Sequence, residues 1–244
     1  MVSLAETTAV ILAGGRGSRL QPVLPYQPKV MAEFQGRPFL AYLLDQLVAG
    51  GVQKVVLCTG HRGEEIRTRL GDAYGPMPLT YSHEDEPLGT GGALRLALPV
   101  LDSDPVMVMN GDSLIEADLQ DYLAWFLGRP AAAAALLLTR VEDTARFGRV
   151  EVAGDGSITN FQEKGVPGPG WINAGVYLLK KAVLELMEPR RFLSLEEDLL
   201  PTLVGQGLYG QRVAGKFIDI GTPESYAVAT EFLRRLREEA KIHF

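Results

Sequence analysis

Gly14-Gly15-Arg16-Gly17-Ser18-Arg19-Leu20 gathers three glycines and two arginines into seven residues, and Pro28-Lys29 follows shortly after. Glycines let backbone N–H groups approach phosphate oxygens closely, while guanidinium forks and an ammonium neutralise them. A tight turn alone would account for the glycines but not for the cations. The sixth position of G-x-G-x-x-G is Leu20, so the run is not a dinucleotide fingerprint, and it does not match the P-loop pattern either. Further along, Asn110-Gly111-Asp112 and Ile218-Asp219-Ile220-Gly221 each leave an aspartate at the end of an apolar run. Magnesium takes oxygen ligands, usually one or two carboxylates together with phosphates and water. Either aspartate taken singly reads equally well as turn chemistry.

Such groups need a frame that presents them together. Ala9–Ala13 is a short apolar run ending at Gly14, as expected for a buried strand feeding a turn. Phe39, Leu40, Leu43, Leu44, Leu47 and Val48 recur at helical spacing until Gly50-Gly51 stops them. Strands are expected at 54–59, 79–82 and 106–110, and helices at 63–70, around 93–98 and at 118–127. The apolar run 131–138 reads as a buried strand, although its five alanines could equally open a helix. Alternation of this kind implies right-handed crossovers in a Rossmann-like, mostly parallel mixed sheet with helices on both faces. In such α/β sheets ligands bind beyond the strand carboxyl ends, where both Gly14 and Asp112 fall.

The texture changes after Leu138. Residues 149–152 and 158–161 flank Gly154-Asp155-Gly156 as a hairpin, and a strand is expected over 171–179. Ser194-x-x-Glu197 reads as a capping box, and Thr222-Pro223 opens a last amphipathic helix reaching about Glu239. One domain over 1–244 is expected, with an α/β half (about 1–130) and a small β-rich half (about 131–244).

Composition narrows the classes. With 244 residues, 46% hydrophobic and 22% charged, the chain can build one full core. A net charge of −6 argues against gripping nucleic acid through the overall field, so an anionic ligand must meet a local basic patch. The lone Cys58 forms no internal disulfide and suits a reducing compartment. No run approaches the roughly 18 apolar residues of a membrane span, and the first eight residues lack a signal-peptide pattern. Cytoplasmic residence is the expectation.

Leu12-Ala13-Gly14-Gly15-x-Gly17-Ser18-Arg19-Leu20 with Pro28-Lys29 resembles the signature of sugar-1-phosphate nucleotidylyltransferases, and the resemblance extends from Ala9 to about Tyr226. It implies a nucleotide-diphospho-sugar transferase fold with a nucleotide-binding half over about 1–130 and a small β-rich, sugar-binding half over about 131–244, a nucleoside triphosphate and a sugar 1-phosphate as substrates, and Mg²⁺ as cofactor. It also implies residue roles. Leu12, Ala13, Gly14, Gly15, Arg16, Gly17 and Ser18 would wrap the nucleotide. Arg19, Lys29 and Asp112 would be catalytic, and Asp112 with Asp219 would hold the metal.

Glu84-Asp85-Glu86-Pro87-Leu88-Gly89-Thr90-Gly91-Gly92-Ala93 resembles the family's base-reading loop, with Glu84, Gly89 and Thr90 at the nucleotide. A glutamine stands near Glu84 in pyrimidine-using relatives. A carboxylate accepts only, and so matches the adjacent N1–H and N2–H donors of guanine, making GTP the expected donor. A solvated acidic turn is the plainer alternative. Gly148, Glu163, Lys164 and Asn173 resemble sugar-binding stations, although Glu163-Lys164 also suits an exposed strand end. Trp171 reads as core, and His61 and His83 have no metal-ligand spacing. Within the family, the run from Ser82 to Leu94 and Ile218-Asp219-Ile220-Gly221-Thr222-Pro223 look most like the guanylyltransferases acting on D-glycero-α-D-manno-heptose 1-phosphate. Val30 departs from the proline expected there after Lys29. Mannose 1-phosphate guanylyl transfer, uridylyl transfer and a regulatory sugar-nucleotide-binding subunit are the alternatives. Oligomeric state is not legible.

Overall fold

The computed structural model describes residues 2–15, 17–20, 22–24, 27–162 and 164–241, with side chains in the final helix as far as residue 235. In chain order the strands are β1 (Thr8–Leu12), β2 (Glu33–Phe34), β3 (Arg37–Pro38), β4 (Lys54–Thr59), β5 (Ala73–Tyr74), β6 (Met77–His83), β7 (Val106–Asn110), β8 (Ser113–Ile115), β9 (Ala134–Val141), β10 (Val150–Val152), β11 (Ile158–Phe161), β12 (Gly170–Leu179), β13 (Leu208–Val213) and β14 (Phe217–Asp219). The helices are α1 (Phe39–Ala49), α2 (Gly63–Leu70), α3 (Gly89–Ala97), α4 (Leu119–Leu127), α5 (Lys181–Glu185) and α6 (Pro223–Lys241).

Eight strands form one sheet in the order β13-β9-β12-β7-β1-β4-β6-β5. Six run in one direction, and β12 and β5 are antiparallel to their neighbours. The central strand β1 sits between parallel β4 and β7, with Ile11 opposite both Leu57 and Met109. Helix-bearing crossovers cover both faces, so these strands are apolar on both sides. Strict alternation divides them. Ala9, Ile11, Val55, Leu57, Met107 and Met109 face one core, built with α1, α4 and α6. Val10, Val56, Val106 and Val108 face the other, built with α3, α5 and residues 195–203. Helix α1 fits its face tightly: Phe39, Leu40, Leu43, Leu44 and Leu47 are fully covered, and truncating one such leucine costs about 2–5 kcal/mol.

Three expectations need adjustment. The strand expected over 131–138 begins only at Ala134, because Leu208 of β13 pairs there and Ala132 is spent in a turn onto Arg129. Helix α3 begins at Gly89 rather than near Ala93. The capping box at Ser194 is half made: its Oγ accepts from Glu197 N, but Asp198 rather than Glu197 takes the Ser194 N–H. Elsewhere, β4, α2 and β7 begin and end at the expected residues.

Two features aim the carboxyl ends of the strands. The turn after β7 passes against the turn after β1, with Gly111 N donating to Leu12 O at 3.0 Å. Any Cβ at Gly111 would lie 2.5 Å from that carbonyl, so glycine is required by space. Small antiparallel β8 and β14 then place Ser113 opposite Asp219, which brings the two aspartate-bearing turns side by side.

Candidate active site

Two cavities open along this edge. The smaller, about 500 Å³, is lined by Leu12, Ala13, Gly14, Gly15, Gly17, Ser18, Glu84, Gly89 and Thr90, all expected at the nucleotide. The larger, about 850 Å³, is lined by Gly148, Lys164, Asn173 and Asp219, expected at the sugar or metal. Arg19, Lys29, Asn110, Asp112 and Gly221 line both. The structure thus gathers residues from distant parts of the chain into one compound site with a charged seam. Arg16 and Glu163 lie outside the described residues.

The glycine-rich loop divides its glycines between ligand space and protein contacts. Among the described residues, nothing lies within 4 Å of a Cβ built on Gly15. Gly14 and Gly60 instead make room for Glu84, whose Oε1 lies 2.9 and 2.7 Å from the positions their Cβ atoms would take. Gly17 has φ +60° and backs onto the stem of Lys29, a conformation glycine adopts without strain.

At the seam, Lys29 Nζ contacts Asp112 Oδ2 at 2.5 Å, the lysine side chain being 14% exposed and the aspartate 40%. Asp219 pairs with Arg146 and accepts from Gly221 N at 2.8 Å. Ile220 N donates to the Asp112 carbonyl at 2.9 Å, which fixes one turn against the other. Each carboxylate therefore has a cation beside it. No group of three or more metal-binding side chains occurs among the described residues. Two carboxylates at adjacent strand ends nevertheless supply the hard oxygen donors magnesium takes alongside phosphate and water, so the residues present fit such an ion.

Glu84 is half-buried at the end of β6. Burial raises its carboxyl above the ordinary value, partly offset by a hydrogen bond from Leu88 N at 3.1 Å and by the nearby His83. Cys58 also lines the smaller cavity. Burial first, then the neighbouring Glu84, push its thiol up to about 12, so it is no thiolate nucleophile near neutral pH. His61 lines the same cavity, and His83 faces Thr59 Oγ1. Trp171 packs against the second core, under the guanidinium of Arg212.

The glycines of Leu88-Gly89-Thr90-Gly91-Gly92 have a second partner that the sequence did not disclose. Residues 191–195 cross them as a strap. Leu193 N donates to Leu88 O, and Leu193 O accepts from Gly91 N and Gly92 N. A Cβ on Gly89 would lie 2.6 Å from Leu193 O, and one on Gly92 2.6 Å from Arg191 O. Thr90 Oγ1 accepts from Leu195 N at 2.7 Å and donates to Glu196 at 2.9 Å. The threonine expected at the nucleotide is therefore committed to the strap, although it still lines the cavity.

Sequence reading missed Asn110, Arg146, Tyr177 and Glu196. Asn110 Oδ1 is buried with no partner among the described residues, an acceptor left open at the seam of both cavities. Arg146 precedes Phe147-Gly148 and stacks on the Phe147 ring at 4.8 Å. Glu196 was absorbed into a helix start, and Tyr177 into an apolar strand.

An α/β sheet whose strand ends bear cations and carboxylates between two cavities has the layout of an enzyme site for phosphate-bearing ligands. The chain belongs to the nucleotidyl transferase family, whose sequence profile matches residues 8–235, and is an enzyme of the sugar-1-phosphate nucleotidyltransferase kind. It is 36% identical over 227 residues to the D-glycero-α-D-manno-heptose 1-phosphate guanylyltransferase of Aneurinibacillus thermoaerophilus, covering 93% of this chain and 98% of that one. It is 35% identical over 227 residues to the mannose-1-phosphate guanylyltransferase of Mycobacterium tuberculosis, covering 91% of this chain but only 63% of the longer relative. Among solved structures, HddC from Yersinia pseudotuberculosis complexed with GMP-PN superposes with a TM-score of 0.82 at 32% identity, over 93% of this chain and 99% of that one.

Proposed function

We propose that the protein transfers GMP from GTP to D-glycero-α-D-manno-heptose 1-phosphate, releasing pyrophosphate, as one domain acting in the cytoplasm. The observation that carries the reading is the shared seam: one cavity suits a nucleotide, the other a sugar phosphate, and Lys29 and Asp112 belong to both. A sugar-phosphate oxygen attacks the α-phosphorus of GTP in line. The new P–O bond forms as the bond to the β-phosphate oxygen breaks, and pyrophosphate departs with that electron pair.

No protein nucleophile takes part. The chain contributes position and charge. Backbone N–H groups of the loop at 14–18 hold the polyphosphate. Arg19 neutralises the departing pyrophosphate, and Lys29 bridges the transferring centre and the incoming phosphate. Asp112 and Asp219 would hold Mg²⁺, whose positive charge would offset that of the α-phosphate. Gly148, Glu163, Lys164 and Asn173 hold the sugar.

Glu84 is the basis for guanine. Its carboxylate, set between Gly14 and Gly60, accepts from paired N–H donors, whereas uracil and thymine offer one N–H between two carbonyls. The resemblance to a heptose 1-phosphate guanylyltransferase along nearly the whole of both chains supports the acceptor. Mannose 1-phosphate is the second reading, supported by the 35% identical mycobacterial relative.

The test is pyrophosphate release with GTP, ATP, UTP and dTTP, each against heptose and mannose 1-phosphates with Mg²⁺. GTP with the heptose 1-phosphate should give the highest kcat/KM. Preference for UTP would overturn the role of Glu84, and preference for mannose 1-phosphate would replace the acceptor.

A further inference from the structure

The Glu196 carboxylate is held by hydroxyls from three parts of the chain. Thr90 Oγ1, on the first turn of α3, donates to Oε2 at 2.9 Å. The Tyr177 hydroxyl, on β12, donates to Oε1 at 2.8 Å. Ser194 Oγ reaches Oε2 at 3.4 Å. An ionised carboxylate has about four acceptor positions, so about one is left, and Glu196 lines the larger cavity.

Tyr177 has nothing left over. Besides donating to Glu196, its oxygen accepts from Asn173 Nδ2 at 2.9 Å and Asn110 Nδ2 at 3.3 Å. One buried hydroxyl thus fixes a carboxylate and two amides at the wall of the same cavity. The helix start does not require Glu196, because the Ser194 hydroxyl already accepts from Glu197 N and the Asp198 carboxylate takes the Ser194 N–H. A carboxylate facing a sugar phosphate repels its phosphate and accepts only from its hydroxyls.

We propose that Glu196 reads one hydroxyl of the sugar, with Tyr177 as the positioning residue that aims it. The proposal rests on the reading of the larger cavity as the sugar 1-phosphate site. A hydrogen bond to a charged acceptor supports an effect of about tenfold or more.

The experiment compares the wild type with Glu196→Gln, using the sugar 1-phosphate the wild type turns over best and its monodeoxy analogues. In the variant, KM for the sugar phosphate should rise about tenfold or more, while affinity for a non-hydrolysable GTP analogue, by calorimetry, stays within about twofold. Removing one particular hydroxyl should weaken the wild type by a similar factor and weaken the variant no further. Tyr177→Phe, which keeps the ring, should show the same hydroxyl-specific loss to a smaller degree and serves if Glu196→Gln folds poorly. Equal sensitivity of wild type and variants to every deoxy analogue overturns the proposal and makes Glu196 a strut. Absence of wild-type turnover with every sugar 1-phosphate overturns the functional reading itself, before any variant is made.

Discussion

Lys29 Nζ stands 2.5 Å from Asp112 Oδ2 where the two cavities meet. The pair places a cation and a carboxylate at the point where, on the proposed reaction, two phosphates must approach each other against their own repulsion. Lys29→Ala should lower kcat by roughly 10²–10³. With Asp112 40% exposed, loss of the pair should shift the melting temperature little. Steady-state kinetics and a thermal melt check the two halves separately.

Asp112→Asn should abolish turnover and the response of the enzyme to Mg²⁺, with the circular dichroism spectrum unchanged. The amide keeps the shape of the side chain but not the charge a hard divalent cation requires. Near-normal pyrophosphate release in this variant would remove Asp112 from the metal site.

Glu84→Gln should reduce the preference for GTP over UTP by about tenfold or more, because a carboxamide no longer offers two acceptors to paired N–H donors. A pH dependence accompanies it. Burial raises the Glu84 carboxyl in the folded protein from its ordinary value of 4.5, and guanine needs the anion. GTP affinity should therefore weaken as pH falls through the raised value, a step the glutamine variant lacks. Stability carries the opposite sign: the favourable contribution is complete below the ordinary value and is lost as pH rises through the raised one. Above that window Glu84→Gln should melt no lower than wild type. Calorimetric titrations and melts across the acid range read both.

Gly89→Ala tests the strap. Gly89 has φ +72°, and a Cβ would lie 2.6 Å from Leu193 O. Left-handed strain and overpacking each cost on the order of 1–3 kcal/mol. The variant should melt several degrees lower and lose affinity in both cavities. An unchanged melting temperature would show that residues 191–195 yield freely.

Much of this was legible beforehand because local rules and the global fold agree. The apolar run ending at Gly14 is β1, and Lys54–Thr59 and Val106–Asn110 are its parallel neighbours. Arg19, Lys29, Asp112 and Asp219 come together as the positions of strand ends imply. What escaped the sequence depends on long-range contact. The demand of Gly89 for space comes from Leu193, more than a hundred residues away, and no periodicity reports it. Tyr177 reads as one more apolar residue of β12 until Glu196 is seen against its hydroxyl. Arg146 resembles any surface arginine until β8 and β14 pair and bring Asp219 beside it.

The crossing of residues 191–195 over the first turn of α3 bears on how such an enzyme can be altered. A single short stretch braces the rim of one pocket through Leu193 and walls the other through Ser194 and, just beyond it, Glu196. On the proposed reading, retargeting the acceptor by redesigning that stretch should disturb the donor end as well. Chimeras between relatives should keep it together with the glycines beneath it, inherited from one parent as a matched unit.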